Sequence, residues 1–225
     1  IDVFEEKIPL GECGALWFFK KNLCDDFLFI NGDLIFSIDF DKLIYFHKRI
    51  SSNLTLVTHT SDHPEDSDLV AVPNGTLVEE IFLKSCEMHS TKNAYLGNSG
   101  IFVIKKNILE KINAPNKNET KSVFHYLVKN AFESDINIYS YNSTEYIKDM
   151  GTPNRLKETQ EDLIKNKVYP KNYINRQKVL FLDRDNTIIK CQKGNYILEK
   201  NKIILIEENI KKILSISKKY DFVCL

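Results

Sequence analysis

Three short runs hold residues whose types and order could do phosphate chemistry. Val179-Leu180-Phe181-Leu182-Asp183-Arg184-Asp185-Asn186-Thr187 is an apolar run of strand type that ends in two aspartates one residue apart, with a threonine two further on. A buried strand that delivers a carboxylate to the end of a sheet, where the backbone turns and a ligand can approach, is the shape of a phosphate-transfer site. Two carboxylates bracketing one phosphate can divide the work of nucleophile and general acid–base. Phe27-Leu28-Phe29-Ile30-Asn31-Gly32-Asp33 is a second apolar run, ending in a tight turn with a carboxylate at its tip. An aspartate there can hold a hard divalent cation, and the glycine lets phosphate or sugar come close to the backbone, although Asn-Gly-Asp alone is also a common turn sequence. In the third, Asp149 stands just ahead of Thr152-Pro153, a helix start with threonine as cap and proline in the first turn.

The elements that must position these groups are legible as an α/β alternation. Phe27–Ile30, Leu54–Val57, Ile101–Ile104 and Val179–Leu182 are largely apolar runs of strand length, as expected for a parallel or mixed sheet covered on both faces. Val123, Phe124, Leu127, Val128 and Ala131 fall on one face of a helix. The helix opened by Thr152-Pro153 should run to about Asn166, and another should span Glu207 to Lys219. Residues 167–177 have no clear period and contain Pro170, so they read as a linker between a unit over 1–166 and a second over 178–225.

Composition narrows the classes. A chain of 225 residues with 43% hydrophobic content packs a core, which excludes a disordered chain. Charge is balanced at 31 basic against 31 acidic residues, so nothing draws the protein to nucleic acid or an anionic membrane by bulk charge. No apolar run approaches the roughly 20 residues of a membrane span, and the first residues have no signal-peptide core. Five scattered cysteines, never in a Cys-x-x-Cys pair, fit reduced thiols in a cytoplasmic protein. Homo-oligomerisation is left open.

In order and spacing, residues 1–166 resemble the sugar-1-phosphate nucleotidylyltransferases. The resemblance rests on Pro9-Leu10-Gly11-Glu12-Cys13-Gly14-Ala15-Leu16, Asn31-Gly32-Asp33, Asn98-Ser99-Gly100 before a strand, and Asp149-Met150-Gly151-Thr152-Pro153. It implies a Rossmann-like mixed-sheet domain that transfers a nucleotidyl group from a nucleoside triphosphate to a sugar phosphate with Mg²⁺. It makes Asp33 and Asp149 the metal aspartates, places Pro9, Gly11 and Gly14 against the nucleotide base, and puts Gly32, Asn98 and Gly100 at the sugar. Leu83-Lys84-Ser85 stands where the family has Glu-Lys-Pro, which makes Lys84 a catalytic lysine on the sugar phosphate and loses the glutamate. The run His63-Pro64-Glu65-Asp66-Ser67-Asp68-Leu69-Val70 resembles the branch that uses D-glycero-D-manno-heptose 1-phosphate and GTP; a hexose 1-phosphate is the alternative. The family's glycine-rich phosphate loop is not in the chain, so the first domain is expected to lack its first strand, loop and helix. That absence also supports a rival reading, a nucleotide-sugar-binding or regulatory module without turnover.

Residues 178–225 resemble the start of a haloacid-dehalogenase-type phosphatase of the histidinol-phosphate and heptose-bisphosphate branch, through Asp183-Arg184-Asp185-Asn186-Thr187 and Gly194-Asn195-Tyr196-Ile197. The resemblance makes Asp183 the nucleophile, Asp185 the acid–base, and both of them Mg²⁺ ligands. Later motifs of that family are not in the chain, so this second α/β domain is expected to be C-terminally incomplete. Together the two halves imply a bifunctional sugar-phosphate enzyme.

Overall fold

The computed structural model describes residues 5, 11–61, 64–84, 95–116, 122–191, 197 and 199–225. Pro9, His63 and the stretch 194–196, all singled out above, lie outside them.

A mixed sheet forms the centre of the first unit. Its strands are β1 (Asp26–Ile30), β3 (Leu54–His59), β4 (Leu69–Ala71), β5 (Glu80–Phe82), β6 (Tyr95–Lys105) and β7 (Ile138–Asn142). The order is β5-β4-β6-β3-β7, with β1 also paired to β6. β6 runs antiparallel to β1, β3 and β4, while β3 and β7 are parallel. β4 and β1 take successive stretches of β6, β4 opposite Tyr95 to Gly97 and β1 opposite Ile101 to Lys105. A smaller antiparallel ladder joins β2 (Leu34–Ser37) to β8 (Tyr146–Asp149).

Strand alternation sorts the core onto the two faces of the sheet. Leu54, Leu56, Phe102 and Ile104 pack with Cys13 and Leu16 of α1 (Gly11–Phe19) and with Val123, Phe124, Leu127, Val128 and Ala131. Val57, Ile101 and Val103 face the other way, against Leu43 of α2 (Phe40–Arg49), with Leu34, Phe36 and Ile147 of the small ladder beside them. Coverage of both faces explains why these strands read as continuous apolar runs. The helix carrying Val123 to Ala131 is wider than expected over Phe124–Val128, where it makes a π turn before α4 (Lys129–Glu133). A one-turn helix, α3 (Ile108–Lys111), follows β6; the carbonyls of Leu109 and Ile112 accept from the Trp17 indole at 3.2 and 3.1 Å. Among the described residues no helix is long and apolar enough to cross a membrane.

Asn98-Ser99-Gly100 corrects one expectation. These residues do not precede the strand; they lie inside β6. Against β3 the pairing steps from Leu56↔Phe102 to Thr58↔Asn98, so β6 carries extra residues at this point. Gly100 has φ +79°, a left-handed conformation that glycine takes freely and that lets a strand bulge without ending.

α5 (Pro153–Ile164) begins as expected, with Thr152 Oγ1 accepting from Arg155 N. Residues 168–173 then return to the first unit. Val168 is buried, Tyr173 N–H donates to Glu145 Oε1 at 2.8 Å, and its carbonyl accepts from Lys42 Nζ at 2.9 Å. Beyond them, β9 (Val179–Phe181), α6 (Glu207–Ser217) and β10 (Phe222–Cys224) form a βαβ unit with the two strands parallel. Several of its apolar side chains are uncovered: Phe181 is 77% and Leu225 80% exposed.

Candidate functional site

The β2–β8 ladder brings two distant carboxylates together. Leu34 pairs with Asp149, and Met150 N–H donates to the Asp33 carbonyl at 2.8 Å, so Asp33 and Asp149 sit side by side at one end of the ladder. Both carboxylates point to the same spot. A Cβ on Gly151 would stand 3.3 Å from Asp149 Oδ1 and 3.6 Å from Asp33 Oδ2. Gly151 therefore leaves open the space onto which the two carboxylates converge. Hard oxygen donors with a gap between them suit Mg²⁺, which keeps several water or phosphate ligands and needs only one or two carboxylates. Among the described residues no group of three or more His, Cys, Asp and Glu could hold a metal, so a cation here would rest on this pair.

These aspartates line a cleft of about 710 Å³. The bulged part of β6, Asn98 to Gly100, and Asn31 at the end of β1 line it as well. Asn31 N–H donates to the Gly100 carbonyl at 3.0 Å, and a Cβ on Gly100 would come within 2.9 Å of Asn31 Nδ2. Glycine is thus required at 100 for backbone and for space. Asn31 Oδ1 and Ser99 Oγ are buried polar atoms with no partner in the protein, two hydrogen-bonding groups at the cleft left for a ligand. Gly32 lies in the turn between Asn31 and Asp33, where a Cβ would meet nothing within 4 Å.

Arg155, in the first turn of α5, is the residue that the sequence reading missed. Its Nη1 donates to Asp149 Oδ1 at 2.9 Å and its Nη2 to Asp66 Oδ2 at 3.0 Å. Hydrogen bonding to Asp149 first, then to Asp66, raises its pKa above the usual guanidinium value. Asp66 also takes Lys84 Nζ at 2.5 Å, and this lysine, followed by Arg155, holds the Asp66 carboxyl below the ordinary range. Asp68 accepts from the Lys84 backbone N–H at 2.9 Å and meets His125 Nε2 at 2.8 Å. Asp66 thus anchors two cations, and Asp68 a histidine. Their signal was present in the charge pattern, but their partners lie far off in sequence.

Of the residues singled out by sequence, Asp33, Asp149, Asn98 and Gly100 line one cleft. Lys84 stands outside its lining, joined to it through Asp66 and Arg155. Gly11, at φ +69°, opens α1, and Gly14 lies within it; neither lines the cleft. Cys13 beside them is buried, which pushes its thiol up to about 12 and makes it a core residue. Asp183 follows β9 by two residues, and Asp185 is clamped by its neighbour, with Arg184 Nε donating to Oδ1 at 2.8 Å. That hydrogen bond holds the Asp185 carboxyl low. Neither aspartate lines the cleft.

The chain is similar to known proteins in sequence and in fold. The family described as Nucleotidyl transferase matches residues 3–166. A Sulfolobus acidocaldarius protein provisionally named a mannose-1-phosphate guanyltransferase is 29% identical over 178 residues, covering 78% of this chain and 46% of its own length. The mannose-1-phosphate guanylyltransferase of Mycobacterium tuberculosis is 27% identical, covering 73% and 45%. The chain spans about half the length of such curated relatives, or less. Among solved structures, HddC from Yersinia pseudotuberculosis complexed with GMP-PN aligns with a TM-score of 0.55 at 22% identity, over 72% of this chain and 66% of that one. The inositol-1-phosphate CTP transferase from T. maritima gives 0.54 at 14% identity, over 71% and 63%. These likenesses bear out the mixed-sheet fold, and with the match over most of the chain they show that it belongs to the nucleotidyl transferase family.

Proposed function

We propose that the protein joins a nucleotidyl group to a sugar 1-phosphate with release of pyrophosphate, and that the donor is GTP and the sugar D-glycero-D-manno-heptose. The observation that carries this reading is the convergence of the Asp33 and Asp149 carboxylates on the gap at Gly151. Guanylyl transfer is supported by relatives named for mannose 1-phosphate, whose ring shares the manno configuration of that heptose. The heptose itself rests on the run from His63 to Val70.

In this reaction a phosphate oxygen of the sugar phosphate attacks the α-phosphorus of the nucleotide, and the bond from that phosphorus to pyrophosphate breaks. Both reactants are anions, so the site must offset charge in the transition state. Asp33 and Asp149 would hold a Mg²⁺, and that cation would supply the offset as a Lewis acid. The protein's own groups do the rest. Arg155 contributes a permanent positive charge beside Asp149, Asn31 and Asn98 present amides to the sugar, and Gly100 keeps the wall of β6 free of a side chain. The test is pyrophosphate release by the full-length protein with GTP and a panel of sugar 1-phosphates, in the wild type and in Asp33→Ala and Asp149→Ala. Both variants should lose turnover by at least about a hundredfold. Equal rates with glucose, mannose and heptose phosphates would remove heptose, and active aspartate variants would remove the metal seat.

For residues 178–225 the proposal is the start of a sugar-phosphate phosphatase. The support is a parallel βαβ unit in which Asp183 and Asp185 come just past the carboxyl end of β9, where ligands bind in such sheets. Phosphate release from a sugar bisphosphate by the full-length protein, kept on Asp183→Asn substitution, would sink this reading.

A further inference from the structure

The segment that follows the family-matched residues contributes to the cleft. Residues 168–173 are fixed as a strap across the end of the β2–β8 ladder. Besides the Tyr173 bonds to Glu145 and Lys42, the Tyr173 hydroxyl meets Thr144 Oγ1 at 2.9 Å and Asn172 Nδ2 donates to Ser37 Oγ at 3.3 Å. No glycine interrupts the strap, so its backbone is held in one path. Within it, Lys171 ends a short helical turn and lines the cleft.

The charge of Lys171 differs from that of the other cations there. Lys148 is paired with Glu158 at 2.7 Å, and Arg155 with Asp149 and Asp66. Lys171 has no carboxylate partner among the described residues. Its Nζ stands 5.9 Å from the centroid of the Phe222 ring, on β10. A ring face attracts an ammonium without cancelling its charge. The ammonium is therefore seated and still has donors to offer.

Position along the ladder says which part of a ligand it meets. Asp149 is paired at the Leu34 end, whereas the strap is tied to Ser37, paired with Tyr146 at the other end. Three residues of strand separate the two ends, about 10 Å. That is the length of a sugar ring together with its phosphate. We infer that Lys171 is a sugar-binding residue of the cleft, its ammonium donating to hydroxyl oxygens on the side of the ring away from the phosphate. This rests on the transferase reading above.

The experiment uses the full-length protein, pyrophosphate release and saturating GTP, with mannose 1-phosphate and the heptose 1-phosphate as acceptors. Lys171→Met keeps the aliphatic stem and removes the donors. It should raise the KM for the sugar phosphate about tenfold, the weight of one hydrogen bond from a charged donor. The KM for GTP, the inhibition constant of inorganic phosphate and the melting temperature should stay as in the wild type, and Lys171→Arg should restore most of the affinity. An unchanged sugar KM in Lys171→Met would overturn the inference alone, as would weaker inhibition by inorganic phosphate in parallel with the KM, since Lys171 would then be reading phosphate. A wild-type protein that releases no pyrophosphate with any sugar 1-phosphate and nucleotide would overturn the transferase reading along with it.

Discussion

Replacing Glu145 tests whether the strap and the cleft are one structure. Its side chain is 5% exposed, and Oε1 accepts from Asp39 N at 2.7 Å and from Tyr173 N at 2.8 Å, while Oε2 accepts from Ser143 Oγ at 3.0 Å. Glu145→Ala orphans both N–H groups. A buried donor left without a partner costs about 1–3 kcal/mol. Asp39 N is fully enclosed and takes the upper part of that range; Tyr173 N is partly wetted and takes the lower, for about 3 kcal/mol together. Glu145→Gln keeps an oxygen for the same two donors and loses only the assistance of charge, about 1 kcal/mol. Trp17, the chain's single tryptophan, lies in α1 and reports on the first unit. With a urea slope of about 2 kcal/mol per molar, its fluorescence midpoint should fall by about 1.5 M for alanine and about 0.5 M for glutamine. Protease should cut within residues 168–177 of the alanine variant first. Equal shifts for the two variants, or an alanine midpoint within 0.5 M of the wild type, would refute the reasoning.

Two further predictions follow from single buried positions. His47 is 1% exposed, with Nδ1 at 2.8 Å from Thr55 Oγ1, and burial lowers its pKa from 6.5 against the pull of Asp26 and with some help from Lys105 and Lys48. The unfolded chain therefore binds a proton that the folded one refuses, so stability is full above about pH 6.5 and falls as pH drops from there toward the folded-state pKa, by at most about 1.4 kcal/mol per pH unit. His47→Asn should remove that part of the slope in urea titrations at pH 5 to 7.5; an unaltered slope would show that other groups cause it. Gly100→Ala should cost about 2 kcal/mol, since alanine resists φ +79° and its methyl strikes Asn31. Calorimetry should show a lowered melting temperature together with weaker sugar-phosphate binding, and a variant as stable as the wild type would argue against a strained bulge.

The strands that read clearly in the sequence are those that carry a largely apolar run packed into the core: Phe27–Ile30 of β1, Leu54–Val57 of β3 and Ile101–Ile104 of β6. β2 and β8 did not announce themselves, because each is four residues long and lies at the margin of the core, half-buried apart from Tyr146. Yet it is their pairing that sets Asp33 beside Asp149. Motif resemblance pointed to both aspartates, while the ladder that joins them depends on contacts across more than a hundred residues that no local pattern encodes. The polar residues of β6 were placed before the strand because Asn, Ser and Gly favour turns over strand interiors; a bulge makes the same demand on backbone conformation. Arg155 was passed over because a charged residue in the first turn of an amphipathic helix looks like solvated surface until its carboxylate partners are placed.

The divided edge of β6 has a bearing on how such a cleft can change over evolutionary time. Because β4 and β1 occupy the same edge one after the other, the described stretches of chain next to them, 31–33 and 64–68, meet at the same opening, one leaving β1 and the other entering β4. Each belongs to a different connection, and neither contributes a rung to the half of the strand held by the other. Substitutions or insertions in one connection therefore reshape one lip of the opening and leave the pairing of the other intact. New ligand preferences can arise by editing one lip at a time on an unaltered sheet.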